Sequence, residues 1–485
     1  MRWPSGPLEI ARRQKNEGFT PEVGKTLERW HEPATLDFLT DTPTSCLVVS
    51  WAAGLPEDSQ QQKTMAPLVD AARKRKLELV GWVEGSADHN AAIAAAKSAG
   101  LSAVAIRNYK GKPDPMVVPW GERASPPWDS PAPVLPITGN VWPGVQAGAN
   151  LNPDAGPTAL PWLDSNGWYI QLARARVRAP VWIVADPPGK GRVLRAQDYS
   201  MAVCDSEVAG GRWVVSLDDG LRAGLAEGSA PARETWQTIA NTLSFFQKHR
   251  KWSSFRSVGL VGVISDFAGE DYDFSGEILN LMARRDLLYR VIWKSQAMAA
   301  PFTGLNALVY ADAAPLAPVL RQKIMGFVEQ GGLLVTGPKW GSEGKPVTLG
   351  FNTQFEVRAY GKGRLAVAKE ALSDPWQVSV DTQFLLSHRN DLLKIYNSGS
   401  SGCTSFTASP DGKNAVLQGV SYSSGRGGGG LRTVWIRPKY RSARLWLIGA
   451  DAAPVESEAS EEYFGTEYYL PVTAAQPYFA LEFEA

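Results

Sequence analysis

The feature that most constrains this chain is an alternation repeated over its first 250 residues: a short apolar run, a polar turn, then a stretch with helical spacing of apolar side chains. The apolar runs are SCLVVSW at 45–51, KLELVGWVEG at 76–85, LSAVAIRNY at 101–109, APVLPITGNVWPG at 132–144, APVWIVADPPG at 179–189 and RWVVSLDDG at 212–220. Helical stretches are expected near 63–75, 88–99 (where Asp88 can cap) and 233–249. Strand–helix repeats of this kind build a parallel sheet with helices on its faces. Several runs finish at a polar or aromatic residue, among them Trp51, Glu84, Asn140, Asp186 and Asp218. Such groups gathered at the C-terminal ends of many strands are the active-face pattern of a (β/α)8 barrel. Six runs stand where a barrel needs eight strands. The expectation is therefore an α/β fold with a (β/α)8-type barrel, possibly irregular, and a doubly wound sheet as the alternative.

From Ser257 the style changes. VGLVGVISDF reads as a buried strand, SGEILNLMARRDL as a helix, LNALVYAD as a strand, and PVLRQKIMGFVEQGGLLVTGP as helix, glycine turn and strand. Past residue 348 alternating runs such as FEVRAYGKGRLAVAK, LRTVWIRP, ARLWLIGA and YFALEFE point to an antiparallel β-sandwich. GRGGGG at 425–430 reads as a loop or hairpin tip. The chain, 485 residues long, is too long for one core. Three domains are expected: 1–252 barrel-like, 253–347 small α/β, and 348–485 β-sandwich.

Composition removes several functions. Fifty Lys and Arg against 49 Asp and Glu give a net charge of +1 with no basic stripe, which argues against a nucleic-acid partner. Cys46, Cys204 and Cys403 are too few and too spread for a disulfide framework or a zinc site. His31, His89, His249 and His388 are isolated, so no metal and no cofactor is expected. No GxSxG elbow, GxGxxG fingerprint or phosphate loop is present, and the two GKGR stretches at 189–192 and 361–364 read as turns. No apolar run reaches the ~20 residues needed to span a bilayer. Met1 is followed by the polar RWPSGP rather than a signal peptide. The compartment stays open, with the periplasm or the exterior as the favoured expectation.

The order of a barrel-like βα domain, an α/β block containing FVEQGGLLVTG, and a terminal β domain resembles multidomain glycoside hydrolases of the beta-galactosidase type. In those enzymes a TIM barrel precedes a glutamine-amidotransferase-like domain and a β domain. The resemblance implies a saccharide substrate and hydrolysis by a carboxylate pair at the barrel's C-terminal face. It also implies an Asn-Glu pair at the end of the fourth barrel strand. The strand taken as the fourth here reads ITGNVWPG, where Asn140 is followed by Val141. The alternatives are a hydrolase using other carboxylates and a non-catalytic carbohydrate-binding or scaffold protein. The middle block has no cysteine and no histidine, which excludes glutamine hydrolysis by a thiolate. Its expected use is contact, including assembly of like subunits around Phe327.

Glycoside hydrolysis generally needs two flanking carboxyl groups. In RWVVSLDDG the period of two puts Val214, Ser216 and Asp218 on one face, so Asp218 is expected at the inner rim with Asp219-Gly220 as a turn. Asp186 before paired prolines and Glu84 beside Trp82 are the further candidates. Asp218 also suits a cap and Asp186 a turn. Asp205 and Glu207 are expected at the surface. The 18 tryptophans suit cores, and they also suit platforms for sugar rings. The cluster PWLDSNGWYIQLARAR at 161–176 follows about 18 irregular residues, which suggests a loop over a pocket. The expected saccharide contacts are Trp51, Trp82, Asn140, Trp142, Trp162, Asp164, Asn166 and Trp168. Asp164 or Ser165 can instead cap a helix starting near Gly167.

Overall fold

Eight parallel strands follow one another around the first part of the chain: β1 (Arg2–Trp3), β2 (Cys46–Ala52), β3 (Glu78–Val83), β4 (Ala103–Arg107), β5 (Val117–Glu122), β6 (Leu135–Thr138), β7 (Val181–Val184) and β8 (Arg212–Trp213). Arg2 pairs with Val48 of β2. The Arg2 N–H also donates to the Val215 carbonyl, just past β8, at 2.8 Å. That bond closes the sheet into a (β/α)8-type barrel. The computed structural model describes residues 1–16, 20–139, 141–146, 162–188, 194–387, 390–396, 402–422, 432–460, 464–472 and 476–485. It divides into two units, Met1–Pro143 with Val177–Arg250 and Gly144–Arg176 with Lys251–Ala485.

In the first unit Val48, Ala105, Trp120, Val184 and Val214 are buried together, with Val80, Trp82 and Trp182 packed against them. These are inward positions of five different strands and of the residue that follows β8, so large rings fill the barrel as a packed core. The sequence showed six strands because β1 has only two residues and β5, VVPWGE, contains Pro119, which argues against a strand. The helix His89–Ala99 begins as expected. Asp88 accepts from the Ala91 N–H at 3.1 Å, and Gly100 ends it at φ +75°, the left-handed cap glycine tolerates. Among the described residues no helix lies between β4 and β5 or between β5 and β6. The segment 126–131 lies against β5 instead: a Cβ on Gly121 would stand 2.4 Å from Pro127 Cδ, so only glycine fits.

Trp51 is corrected from a sugar contact to a core residue. Its odd offset from Val48 turns it out of the barrel. There it is 1% exposed, its indole donates to the Ala92 carbonyl at 3.1 Å, and its ring sits where a Gly81 Cβ would be. Asp205 and Glu207, expected at the surface, are buried in the helix Ala196–Val208. Glu207 pairs with Arg212, and burial, opposed by that guanidinium, pushes its carboxyl up to about 7.

The second unit holds a mixed sheet and a sandwich. Strands β9 (Val261–Ser265), β10 (Tyr289–Trp293), β11 (Ala307–Tyr310), β12 (Leu333–Thr336), β13 (Phe355–Tyr360) and β14 (Gly363–Ala368) are ordered β10-β9-β11-β12-β14-β13, with Lys345–Pro346 beyond β13. All pairs are parallel except those of β13. The hairpin FEVRAYGKGRLAVA, read from its alternation as part of the β domain, adds to this sheet, which therefore runs past residue 347 to Ala368. The sandwich packs Phe406, Leu417, Phe479, Leu481 and Phe483 of a six-stranded sheet against Leu393, Val434, Ile436, Tyr468 and Leu470 of a four-stranded one. GRGGGG at 425–430 and residues 189–193 lie outside the described residues.

Candidate active site at the barrel rim

The inward parity of the strands continues one step past their packed rings. Trp82 of β3 leads to Glu84, Ala105 of β4 to Arg107, Trp120 of β5 to Glu122, and Val184 of β7 to Asp186. Because alternate residues share a face, the rings that fill the barrel are followed at its C-terminal end by charges. Trp82 and Trp120 meet edge to face at 4.4 Å. The Trp120 indole donates to Thr138 Oγ1 of β6 at 2.8 Å, and the Trp82 indole donates to Glu84 Oε1 at 2.8 Å.

Arg107 links two of the acids. It donates to Glu122 Oε1 through Nε at 2.9 Å and Nη2 at 2.6 Å, and its Nη1 stands 4.0 Å from Glu84 Oε2. Arg2 pairs with Asp186 at 2.5 Å and lies 5.4 Å over the Trp82 ring. Behind them the helix Gly6–Asn16 carries Glu9, Arg12 and Arg13. Glu9 is 2% exposed and binds Arg12 at 2.9 Å and Arg13 at 2.8 Å. Burial alone would raise the Glu9 carboxyl, but the hydrogen bonds and charges of the two guanidiniums outweigh it and hold it at about 2. Arg12 is raised despite its own burial by Glu9 and by the charges of Asp186 and Glu84. Arg13 continues the network to Asp219 at 2.8 Å.

The structure brings Glu84, Asp186 and Trp82 of the expected site together at this rim. Asp218 has other duties. Its Oδ1 accepts from the Leu221 N–H at 2.9 Å, capping the helix Asp219–Glu227, and its Oδ2 accepts from the Tyr199 hydroxyl at 2.6 Å. Asp219 opens that helix rather than forming a turn with Gly220. Trp142 is half-buried, edge-on to Tyr199 at 5.5 Å and Trp213 at 5.1 Å. Its indole N–H has no partner among the described residues. Asn140 lies outside the described residues.

The 161–176 cluster belongs to the second unit and is corrected there. Asn166 is fully buried, and Ser165 donates to Asn280 at 2.9 Å. Trp168 packs so closely on Gly276 that a Cβ there would stand 2.6 Å from its ring. The Trp293 indole bonds the Leu172 carbonyl of the helix Gly167–Arg176 at 3.0 Å. These side chains anchor a helix in the second unit's own packing, with the half-buried Trp168 ring engaged by Gly276. Asp164 accepts from Gln146 at 2.5 Å, and Trp162 alone of the four is exposed.

Sequence reading missed Glu122, Arg107, Arg2, Arg12 and Glu9. One signal was available: WVE at 82–84 and WGE at 120–122 repeat the same Trp-x-Glu spacing, which sets an acid one inward step beyond a packed ring. The fourth strand is β4, which ends at Arg107 and is followed by Asn108 and Tyr109, whereas Ile137-Thr138 closes the sixth. The position that the resemblance assigns to Asn-Glu therefore holds asparagine followed by tyrosine.

No known family's sequence profile matches this chain, and no curated protein does. Among solved structures it is similar to alpha-L-fucosidase isoenzyme 2 from Paenibacillus thiaminolyticus, at 9% identity over 96% of this chain and 97% of that one, with a TM-score of 0.57. It is also similar to a GH42 beta-galactosidase from G. stearothermophilus, at 11% identity over 89% of this chain and 68% of that one, TM-score 0.41. A beta-galactosidase from Bacillus circulans sp. alkalophilus aligns at 10% identity over 89% and 68%, TM-score 0.39. The fucosidase match runs nearly end to end in both chains, and at such identity it speaks for fold. The chain has a multidomain, glycoside hydrolase-like fold. Among the described residues no helix is long and apolar enough to cross a membrane.

Proposed function

We propose that this chain is a glycoside hydrolase whose carboxylate pair is Glu84 and Glu122, with Asp186 as a third acid of the same rim. The observation that carries the reading is that Glu84 and Glu122, from β3 and β5, converge on the guanidinium of Arg107 on the strand between them. One guanidinium's reach keeps them inside the ~9.5 Å that bounds carboxylate pairs in glycosidases. Glu84, beside the Trp82 ring, gives a proton to the leaving oxygen. Glu122, held by Arg107, acts on the opposite side of the scissile bond. Arg2 and Asp186 contact the sugar hydroxyls. Asp218 serves the same rim as a cap, because both its oxygens are committed to Leu221 and Tyr199.

A second reading has its own support. Four of the rim acids have guanidinium partners: Arg107 for Glu84 and Glu122, Arg2 for Asp186, Arg12 and Arg13 for Glu9. A rim of closed ion pairs suits a protein that binds saccharides without transferring protons. The test is a panel of 4-nitrophenyl glycosides, beginning with the α-L-fucoside and β-D-galactoside, combined with calorimetry against oligosaccharides. Turnover that disappears in Glu84→Gln and Glu122→Gln, with saccharide affinity kept, establishes the hydrolase. Binding without turnover in the unaltered protein establishes the second reading, and neither activity refutes both.

A further inference from the structure

The second unit carries two surfaces of opposite charge that hydrolysis at the barrel does not use. The first is an open groove of about 860 Å³ across the amino ends of β11, β12 and β14, lined by Phe302, Lys323, Phe327, Lys362 and Arg364 among others. No carboxylate is among its described lining residues. The turn Gly361-Lys362-Gly363-Arg364 brings two of the cations. A Cβ on Gly363 would stand 2.1 Å from the Val328 carbonyl oxygen, so close backbone packing holds the turn, and Lys362 is exposed on it. The acid beside this turn, Glu329, packs on Gly361 and does not line the groove. Lys323 donates to the carbonyls of Ala297, Met298 and Ala300 at 2.8, 2.9 and 2.6 Å, and Arg364 to that of Leu385 at 2.7 Å. Carbonyls satisfy these donors without cancelling their charge, so the groove keeps a positive field. The Phe302 and Phe327 rings, edge to face at 5.7 Å, supply its apolar part.

The second surface is the edge of the sandwich's four-stranded sheet. The strand Glu456–Ser460 is last in that sheet's order and pairs with Gly465–Leu470 alone. Residues 456–459 are exposed, and Phe464, where the chain returns into the partner strand, is 78% exposed. Alternation puts Glu456 and Glu458 on one face. Glu458 stands directly opposite Glu467, and like charges so placed destabilise a sheet. The Tyr469 hydroxyl, 3.2 Å from Glu458 and 3.3 Å from Glu467, has one proton for the two carboxylates. Charges that only guard an edge against pairing belong on the edge strand itself, whereas Glu467 lies on the strand within. A cation beside the pair would relieve it.

Each surface supplies what the other needs: cations and aromatic rings in the groove, carboxylates and an exposed ring at the edge. None of residues 456–467 is among those lining the groove, so the chain does not fill its own groove with its own edge. We propose that the groove of one copy receives the acidic edge of a second copy, with Lys362 and Arg364 facing Glu456, Glu458 and Glu467, and Phe464 against Phe302 and Phe327. The two surfaces differ, so the contact is heterologous. Every copy brings one groove and one edge, and assembly grows until a ring closes. The contact stands whether or not the barrel rim is catalytic.

Sedimentation equilibrium of the full chain tests this. At roughly 50 µM protein, above a micromolar Kd, the mean mass should exceed that of one chain in about 0.1 M salt. It should fall in about 1 M salt, where the screening length drops from about 10 to about 3 Å. Lys362→Glu and Glu458→Lys, both at exposed positions, should each weaken self-association by about tenfold or more. Mixed in equal amounts, the two should associate again, because the Glu458→Lys copy keeps an intact groove and the Lys362→Glu copy an intact edge. Recovery in the mixture also shows that both variants are folded. The milder pair Lys362→Ala and Glu458→Gln should give the same pattern with smaller losses. An unaltered chain that stays monomeric in low salt overturns the proposal. So does a failure of both mixtures to associate better than their separate components.

Discussion

Glu9→Gln is the sharpest test of how the barrel rim is held together. The substitution keeps the side chain's size and removes its charge from between Arg12 and Arg13, with Glu9 almost wholly buried. The carboxyl is held at about 2 against an ordinary 4.5. At ~1.4 kcal/mol per pH unit the shift corresponds to roughly 3 kcal/mol in favour of the folded state. An independent figure agrees, since breaking a buried ion pair from one side typically costs about 3–5 kcal/mol. The sign follows from proton counting: between pH 4.5 and 2 the unfolded chain binds the proton and the folded one does not. The contribution is therefore complete above about pH 4.5 and lost as pH falls towards 2. Urea unfolding of both proteins at a series of pH values checks this. The difference curve cancels every other carboxylate, and should show the variant about 3 kcal/mol weaker at pH 6, with the gap closing between pH 4.5 and 2. A gap under ~1 kcal/mol, or one that does not depend on pH, would refute the reasoning.

Four further outcomes are expected. Asp218→Ala should cost about 1–2 kcal/mol through the lost cap and leave the proposed glycosidase turnover in place; loss of turnover at unchanged stability would return Asp218 to the mechanism. Trp51→Ala should cost ~3–5 kcal/mol in thermal or urea unfolding and leave saccharide affinity alone, which calorimetry can check. Gly276→Ala would ordinarily gain ~1 kcal/mol in a helix, but contact with Trp168 should turn it into a loss of ~1–3 kcal/mol, and a gain would mean that Trp168 is free to stack on a ligand. Phe327, half-buried and edge-on to Phe302 at 5.7 Å, is the proposed centre of a subunit contact, so Phe327→Glu should lower the mass seen by light scattering. A monomeric unaltered protein at micromolar concentration rules that contact out.

The parts of the fold visible in the sequence were those whose signal is local. Asp88 before a helix is decided by a few neighbouring backbone groups, and it read correctly. β1 was invisible because Arg2–Trp3 is a strand only through its partners, Val48 on one side and the Val215 carbonyl on the other. β5 was hidden by Pro119, which a strand tolerates only when its neighbours make no demand on that nitrogen. Losing those two strands also displaced the count, so the run that supplies the sixth strand, Leu135–Thr138, was compared with a motif belonging to the fourth. The hairpin Phe355–Ala368 alternates as a sandwich strand would. What assigns it to the mixed sheet is the pairing of Leu333–Thr336 with Arg364–Val367, a contact no window of sequence contains.

The rim was harder to read for a different reason. Parity along one strand predicts which face a side chain takes, and the position of Glu84 and Asp186 at the ends of apolar runs set them at the barrel end. It cannot say which oxygens are already engaged, and that decides Asp218, whose inward parity ends in a bond to Tyr199 and a helix cap. Tryptophan is ambiguous in the same way. Trp51, Trp82 and Trp168 have the same chemistry in the sequence, but Trp51 lies against Gly81, Trp168 against Gly276, and Trp82 beneath Glu84 and Arg2. Two of those neighbours are glycines, whose missing side chains leave the space the rings occupy. Glycine opposite a ring is hence the mark of a packed tryptophan, and Trp-x-Glu at a strand's end the mark of one lying beneath a charge. The first needs the fold to be seen. The second occurs in the sequence twice, at 82–84 and 120–122, and gives Glu122, the residue that moves the proposed chemistry from Asp218 to the centre of the barrel rim.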